Sequence, residues 1–64
     1  MSKFPDVTIK LTGEDGNAFF MVCRVRKALE QAGHKDGARE FFAEALSSDY
    51  THLMSTIYDY VKVK

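Results

Sequence analysis

The sequence predicts a small α+β domain of order β-α-α-α-β, three helices packed on an antiparallel two-stranded ribbon formed by the chain termini. Three observations carry this prediction. Residues 17–33 hold the longest clean helical pattern, with turn-forming residues at both ends. Two shorter helical patterns follow it. Alternating apolar and polar residues stand before the first helix and after the last, as half-buried strands require.

Taken in order, Phe4-Pro5 opens an extended lead-in, because proline and the residue before it both disfavour helix. Val7, Ile9 and Leu11 then point inward and Thr8 and Lys10 outward. Thr12-Gly13-Glu14-Asp15-Gly16 is turn chemistry. In the first helix Ala18, Val22, Val25, Leu29 and Ala32 recur at steps of four, three, four and three, with Met21 and Ala28 beside them. That is the apolar stripe of a core-facing helix. Asp15 or Asn17 can cap its start, and Gly33 suits the left-handed residue just past its end.

Asp36 is the expected N-cap of a second helix over residues 37–47, whose apolar positions are Ala38, Phe41, Phe42, Ala45 and Leu46. Glu40 and Glu44 fall together on its outer face. Ser47-Ser48-Asp49 breaks the pattern and offers a new cap. Tyr50, Leu53, Met54, Ile57 and Val61 continue at helical spacing, giving a third helix over residues 50–59. Residues 60–64 alternate again, with Val61 and Val63 on one side. A lone strand leaves its backbone groups unpaired, so the first and last strands are expected to pair. No glycine or proline separates the third helix from the last strand. A chain that runs on there without reversing makes the ribbon antiparallel. The expected core is Val7, Ile9, Leu11, Val22, Val25, Leu29, Phe41, Phe42, Leu46, Leu53, Ile57 and Val61.

A chain of 64 residues makes a single domain, 1–64. A domain of that size buries only roughly 60% of its unfolded surface, so its stability is marginal. One cysteine excludes an internal disulfide, and no metal-ligand cluster stands out. A homodimer is therefore an expected way to add burial. Lys plus Arg and Asp plus Glu both number 9, which argues against a strongly basic nucleic-acid binder or a polybasic membrane binder. The longest apolar run, residues 18–23, is far too short for a membrane span or a signal-peptide core. The default location is the cytoplasm, where an unpaired thiol is ordinary.

Leu11-Thr12-Gly13, Asp15-Gly16-Asn17-Ala18-Phe19, Ala28-Leu29 with Ala32-Gly33, Ser48-Asp49-Tyr50 with His52-Leu53, and Tyr60-Val61 with Val63 span nearly the whole chain. Together they resemble a family of short uncharacterised proteins of bacteriophages and of bacterial genomes, in prophage regions. The resemblance implies a phage-related intracellular setting. It brings no assigned activity and no functional residues.

Several groups are of kinds that can carry chemistry. Asp15-Gly16-Asn17 opens like a calcium loop, but the twelfth position, which needs an acid, is Arg26. Cys23 lacks a histidine neighbour in sequence, and a small apolar thiol accounts for it. His52, Thr56 and Asp59 share a helix face, too few ligands for a metal. Phe20 among Arg24 and Lys27 is the most informative feature. An aromatic on a cationic helix face can anchor a partner protein or stack on a base, unless the Phe4-Pro5 lead-in or the opening loop covers it. Asp36, Glu40, Glu44, Asp49 and Asp59 make the second half acidic, either a solvated face or an imitation of nucleic-acid charge. Lys10, Lys62 and Lys64 line the ribbon's outer face, where they either keep the edge soluble or hold a nucleic-acid backbone.

The expectation is a non-enzymatic protein-interaction module, a phage-encoded modulator of a host protein, without cofactor or metal. Its partner-binding residues are Phe20, Arg24, Lys27, Glu40 and Glu44. The alternative is a nucleic-acid-binding accessory protein using Lys10, Lys62 and Lys64, or the patch of Phe20, Arg24 and Lys27.

Overall fold

The computed structural model describes residues 2–10 and 18–64. The elements are β1 (Phe4–Ile9), α1 (Ala18–Gln31), α2 (Lys35–Ala45), α3 (Tyr50–Tyr60) and β2 (Val61–Val63), so the β-α-α-α-β order is as expected. The expected cap at Asp15 or Asn17 and the core position Leu11 lie outside the described residues.

The ribbon is parallel, which corrects the antiparallel expectation. Its register pairs Phe4 with Val61, Thr8 with Lys62 and Ile9 with Val63. The reason lies in the direction of β1, which runs against α2: Lys3 meets Glu40, the Phe4 ring stands against Gly37 and Asp6 meets His34. Helices α1 and α2 run against each other, since Phe19 at the start of α1 meets Phe42 near the end of α2. Helices α2 and α3 do the same, with Glu44 beside His52 and Glu40 beside Tyr60. The chain then leaves α3 through Val61, at φ −133 and ψ 164, and passes into β2 without a loop. Strand β1 and helix α3 both run against α2, so β2, continuing from α3, takes the direction of β1. Lys3 N–H donates to the Asp59 carbonyl at 2.8 Å, and Lys64 N–H to the Ile9 carbonyl at 2.9 Å, closing the two ends of the pairing.

Strand β1 starts at Phe4, earlier than the alternation indicated, and its ladder is irregular between Phe4 and Thr8. Pro5 has no N–H to give, so an irregular stretch suits it. Helix α1 ends as its sequence indicated. Gly33 has φ 89, its N–H donates to the Glu30 carbonyl and the His34 N–H to the Leu29 carbonyl. These two bonds form a Schellman motif. Helix α2 begins before the expected position, with His34 and not Asp36 at the N-cap. The Ala38 N–H reaches back to the His34 carbonyl at 2.8 Å, and Asp36 lies within the first turn, where the helix dipole favours an acid. Asp49 caps α3 as expected, its carboxylate accepting from the His52 N–H at 2.9 Å.

Val22, Val25, Leu29, Ala38, Phe41, Ala45 and Ile57 are wholly buried, with Val7, Ile9, Met21, Leu53, Tyr60 and Val61 around them. Two expected core residues depart from this. Phe42 is only partly buried, and Leu46 is 41% exposed. Phe42 lies on the flank of α2 that meets Phe19 of α1, and Leu46 stands at the C-cap just past the helix, off the inward line of Ala38, Phe41 and Ala45. Among the described residues, no helix is long and apolar enough to cross a membrane.

Candidate functional site

Helix α1 carries Phe20, Arg24 and Lys27 one turn apart on the side away from its buried stripe of Met21, Val22, Val25 and Leu29. Phe20 is 65% exposed. The Phe4 ring packs elsewhere, 4.5 Å from the His34 ring and 6.2 Å from Tyr60. Arg24 is tied to the residue just past β1 through Nη1, which donates to the Lys10 carbonyl at 3.3 Å. Lys27 is exposed.

Between α1 and α2 lies an open hollow of about 190 Å³, lined by Arg26, Glu30, Lys35, Arg39 and Phe42. The Arg26 guanidinium lies over the Phe42 ring, 4.8 Å from its centroid, a cation–π contact. Arg26 Nε is buried and has no hydrogen-bond partner. Phe19 meets Phe42 in a T-shaped contact at 6.2 Å. The sequence held a signal for this hollow. Phe19, Cys23, Arg26 and Glu30 form one line on α1, and Lys35, Arg39, Phe42 and Leu46 form one line on α2, both at helical spacing. The two lines flank the core stripes, and only the antiparallel packing of α1 on α2 shows that they face the same groove.

Glu40 and Glu44 lie on the other flank of α2 and do not join Phe20, Arg24 and Lys27. Each is engaged within the chain. Lys3 Nζ and Tyr60 Oη both donate to Glu40 Oε1, at 2.7 and 2.8 Å, and Lys3 also sits over the Tyr60 ring. The Lys3 and Tyr60 hydrogen bonds hold the Glu40 carboxyl below its ordinary range. The same Lys3–Glu40 bond raises Lys3. Tyr60 is raised first by burial and then by its bond to Glu40. On β1, Asp6 accepts from His34 Nε2 at 2.9 Å, and that bond lowers the Asp6 carboxyl.

Glu44, Ser47 and His52 come close enough to invite comparison with a hydrolytic triad, but the wiring differs. His52 Nε2 is 2.9 Å from Glu44 Oε2, 3.1 Å from the Glu44 carbonyl and 3.4 Å from Ser47 Oγ. A carboxylate and a carbonyl only accept, so Nε2 carries the proton. A triad needs the acid on one ring nitrogen and the serine on the other. Here both crowd one nitrogen, and Ser47 Oγ donates to the Glu44 carbonyl at 2.7 Å. The cluster is a clasp between the end of α2 and the start of α3. A shallow hollow of about 400 Å³ lies beside it, lined by Lys3, Glu44, His52, Thr56, Asp59 and Tyr60. The His52, Thr56 and Asp59 face seen in the sequence opens here. Thr56 Oγ1 donates to the His52 carbonyl at 2.8 Å. Cys23 is a half-buried free thiol, while His34 and His52 are held by Asp6 and Glu44. Among the described residues, no three His, Cys, Asp or Glu side chains are grouped to hold a metal ion.

Lys10, Lys62 and Lys64 are exposed. The parallel register sets Lys64 beside Ile9, so Lys10 and Lys64 share one end of the ribbon, near Arg24. Comparison with protein-family models, with curated proteins and with solved structures finds no match to this chain.

Proposed function

We propose that the chain is a small non-enzymatic protein-interaction module, phage-encoded and acting in the cytoplasm on a host protein. The observation that carries the reading is Phe20, a large aromatic left 65% exposed between cations on the outer face of α1, with Phe19 beside it at 47%. Exposed aromatics flanked by arginine or lysine are what binding hot spots are made of. The phage setting is supported by the residue pattern from Leu11 to Val63 alone. Glu40 and Glu44 leave the partner-binding set, because the chain itself uses both. The test is affinity capture from bacterial lysate with the wild type and with Phe20→Ser. A protein held by the first and lost by the second supports the module. Bait alone in both lanes counts heavily against it.

A second reading, binding to a nucleic-acid backbone, draws on Lys10 and Lys64 at one end of the ribbon, with Lys62 opposite Thr8. It requires oligonucleotide binding that weakens steeply with salt. A flat anisotropy titration at low salt removes it.

A further inference from the structure

Helix α2 is divided by charge, and its two flanks are treated differently. The acidic flank is satisfied internally: Glu40 by Lys3 and Tyr60, Glu44 by His52. The basic flank is not. Lys35 and Arg39 join Arg26 of α1 around the 190 Å³ hollow, against one acid, Glu30. No ion pair joins any of these four to another described residue. Phe42 also lines this hollow, and Phe19, 47% exposed, stands edge-on against it.

We propose that this α1–α2 groove docks a peptide segment of the partner protein in which acidic residues alternate with leucine or phenylalanine. The inference rests on the interaction-module reading and names the chemistry of its partner. Charge complementarity is the first argument, since three cations facing one carboxylate attract an anionic segment and disfavour a basic one. The second is Arg26. Its guanidinium is already held over Phe42, so little side-chain freedom remains to be lost when an anionic group enters the hollow that it lines. The third is size. The hollow falls below the ~300–1,000 Å³ of sites that enclose a small molecule, and suits one or two side chains of a docked segment. The apolar end then receives a leucine or phenylalanine against Phe42 and Phe19. A nucleic acid fits less well, because Phe42 has Arg26 over its ring and Phe19 in contact with it, and the cations form a cluster and not a track.

The test is selection of a randomised peptide library on the immobilised protein, followed by anisotropy titration of the best labelled peptide. Enrichment of peptides mixing aspartate or glutamate with leucine or phenylalanine is expected, with binding about tenfold weaker in the exposed-site variants Arg39→Glu and Lys35→Glu. Enrichment of nothing, or of basic sequences, overturns the proposal. So does unchanged affinity in both variants, tighter binding of a labelled oligonucleotide in the same groove, or a dimer in light scattering that Arg39→Glu dissolves. Running Arg39→Glu in the lysate capture separates the two claims. A partner lost with Phe20→Ser but kept with Arg39→Glu sinks the groove and leaves the module standing.

Discussion

Gly33 and Gly37 resist a methyl group for opposite reasons. Gly33 has φ 89 and nothing within 4 Å of where a Cβ would stand, so Gly33→Ala meets strain without collision. The expected loss is about 1–2 kcal/mol, the cost of a left-handed L-residue. Gly37 has no such backbone constraint, but its added Cβ would collide with the Phe4 ring, Cε2 lying at 2.8 Å. That ring is held by His34 and Tyr60, so it yields reluctantly. Overpacking costs about 1–3 kcal/mol and alanine returns up to about 1 kcal/mol of helix propensity. Urea denaturation should therefore show Gly37→Ala net destabilised by on the order of 1 kcal/mol, with less loss in a Phe4→Leu background. An equal loss in both backgrounds would place the clash elsewhere. The first glycine was legible in the sequence, because a helix stop is a local signal. The second was not, since its neighbour Phe4 reaches it only after β1 has packed on α2. Exposure of Phe20 was equally illegible, as it depends on which way Phe4 turns.

Elements were legible where periodicity and caps act locally, as with Asp49, and less so where a distant partner intervenes. The α2 start shifted to His34, whose imidazole also reaches Asp6 on β1. Asp49→Ala removes the carboxylate that accepts the His52 N–H and should cost about 1 kcal/mol in chemical denaturation. Asp49→Asn, which keeps an acceptor, should cost little. The Lys3–Glu40–Tyr60 strap joins the approach to β1, the middle of α2 and the end of α3, and it makes stability pH-dependent at both extremes. Glu40 and Asp6 are depressed in the folded state, so their contribution is present above the ordinary carboxylate range near 4 and is lost as pH falls through the folded values. Lys3 and Tyr60 are raised, so theirs is complete below about 10 and is lost as pH rises through the folded values. Melting temperature should hold a plateau between and decline on both sides. Glu40→Gln should flatten the acid limb and shrink the alkaline one, with burial of Tyr60 sustaining what remains. An acid limb unchanged by Glu40→Gln would show that the strap does not couple to folding.

The direction of the ribbon belongs to the whole molecule. Alternation in the sequence located both strands, and the need to pair them was sound. No local residue recorded that β1 runs against α2, because that direction follows from where β1 docks, with Lys3 beside Glu40 and Asp6 beside His34. Parallel pairs are slightly weaker per residue than antiparallel ones and require a long crossover; here the crossover is all three helices. The pairing therefore ties the first strand to the last across every other element, and little of it is redundant. Val61 is 1% exposed and covers the same core as Val7, Ile9 and Ile57. Removing residues 61–64 would uncover that core, strip β1 of its only partner among the described residues and take away the bond from Lys64 N–H to the Ile9 carbonyl. Burial of one large aliphatic side chain is worth about 1.5–3 kcal/mol, a large share of the ~5–15 kcal/mol that holds a small domain together. The shortened chain should lose its cooperative melt and the dispersion of its amide NMR spectrum. Lys62→Ala, which leaves the ladder and the core intact, should stay within about 0.5 kcal/mol of wild type. A dispersed spectrum and a sharp melt in the shortened chain would mean that the three helices fold without the ribbon.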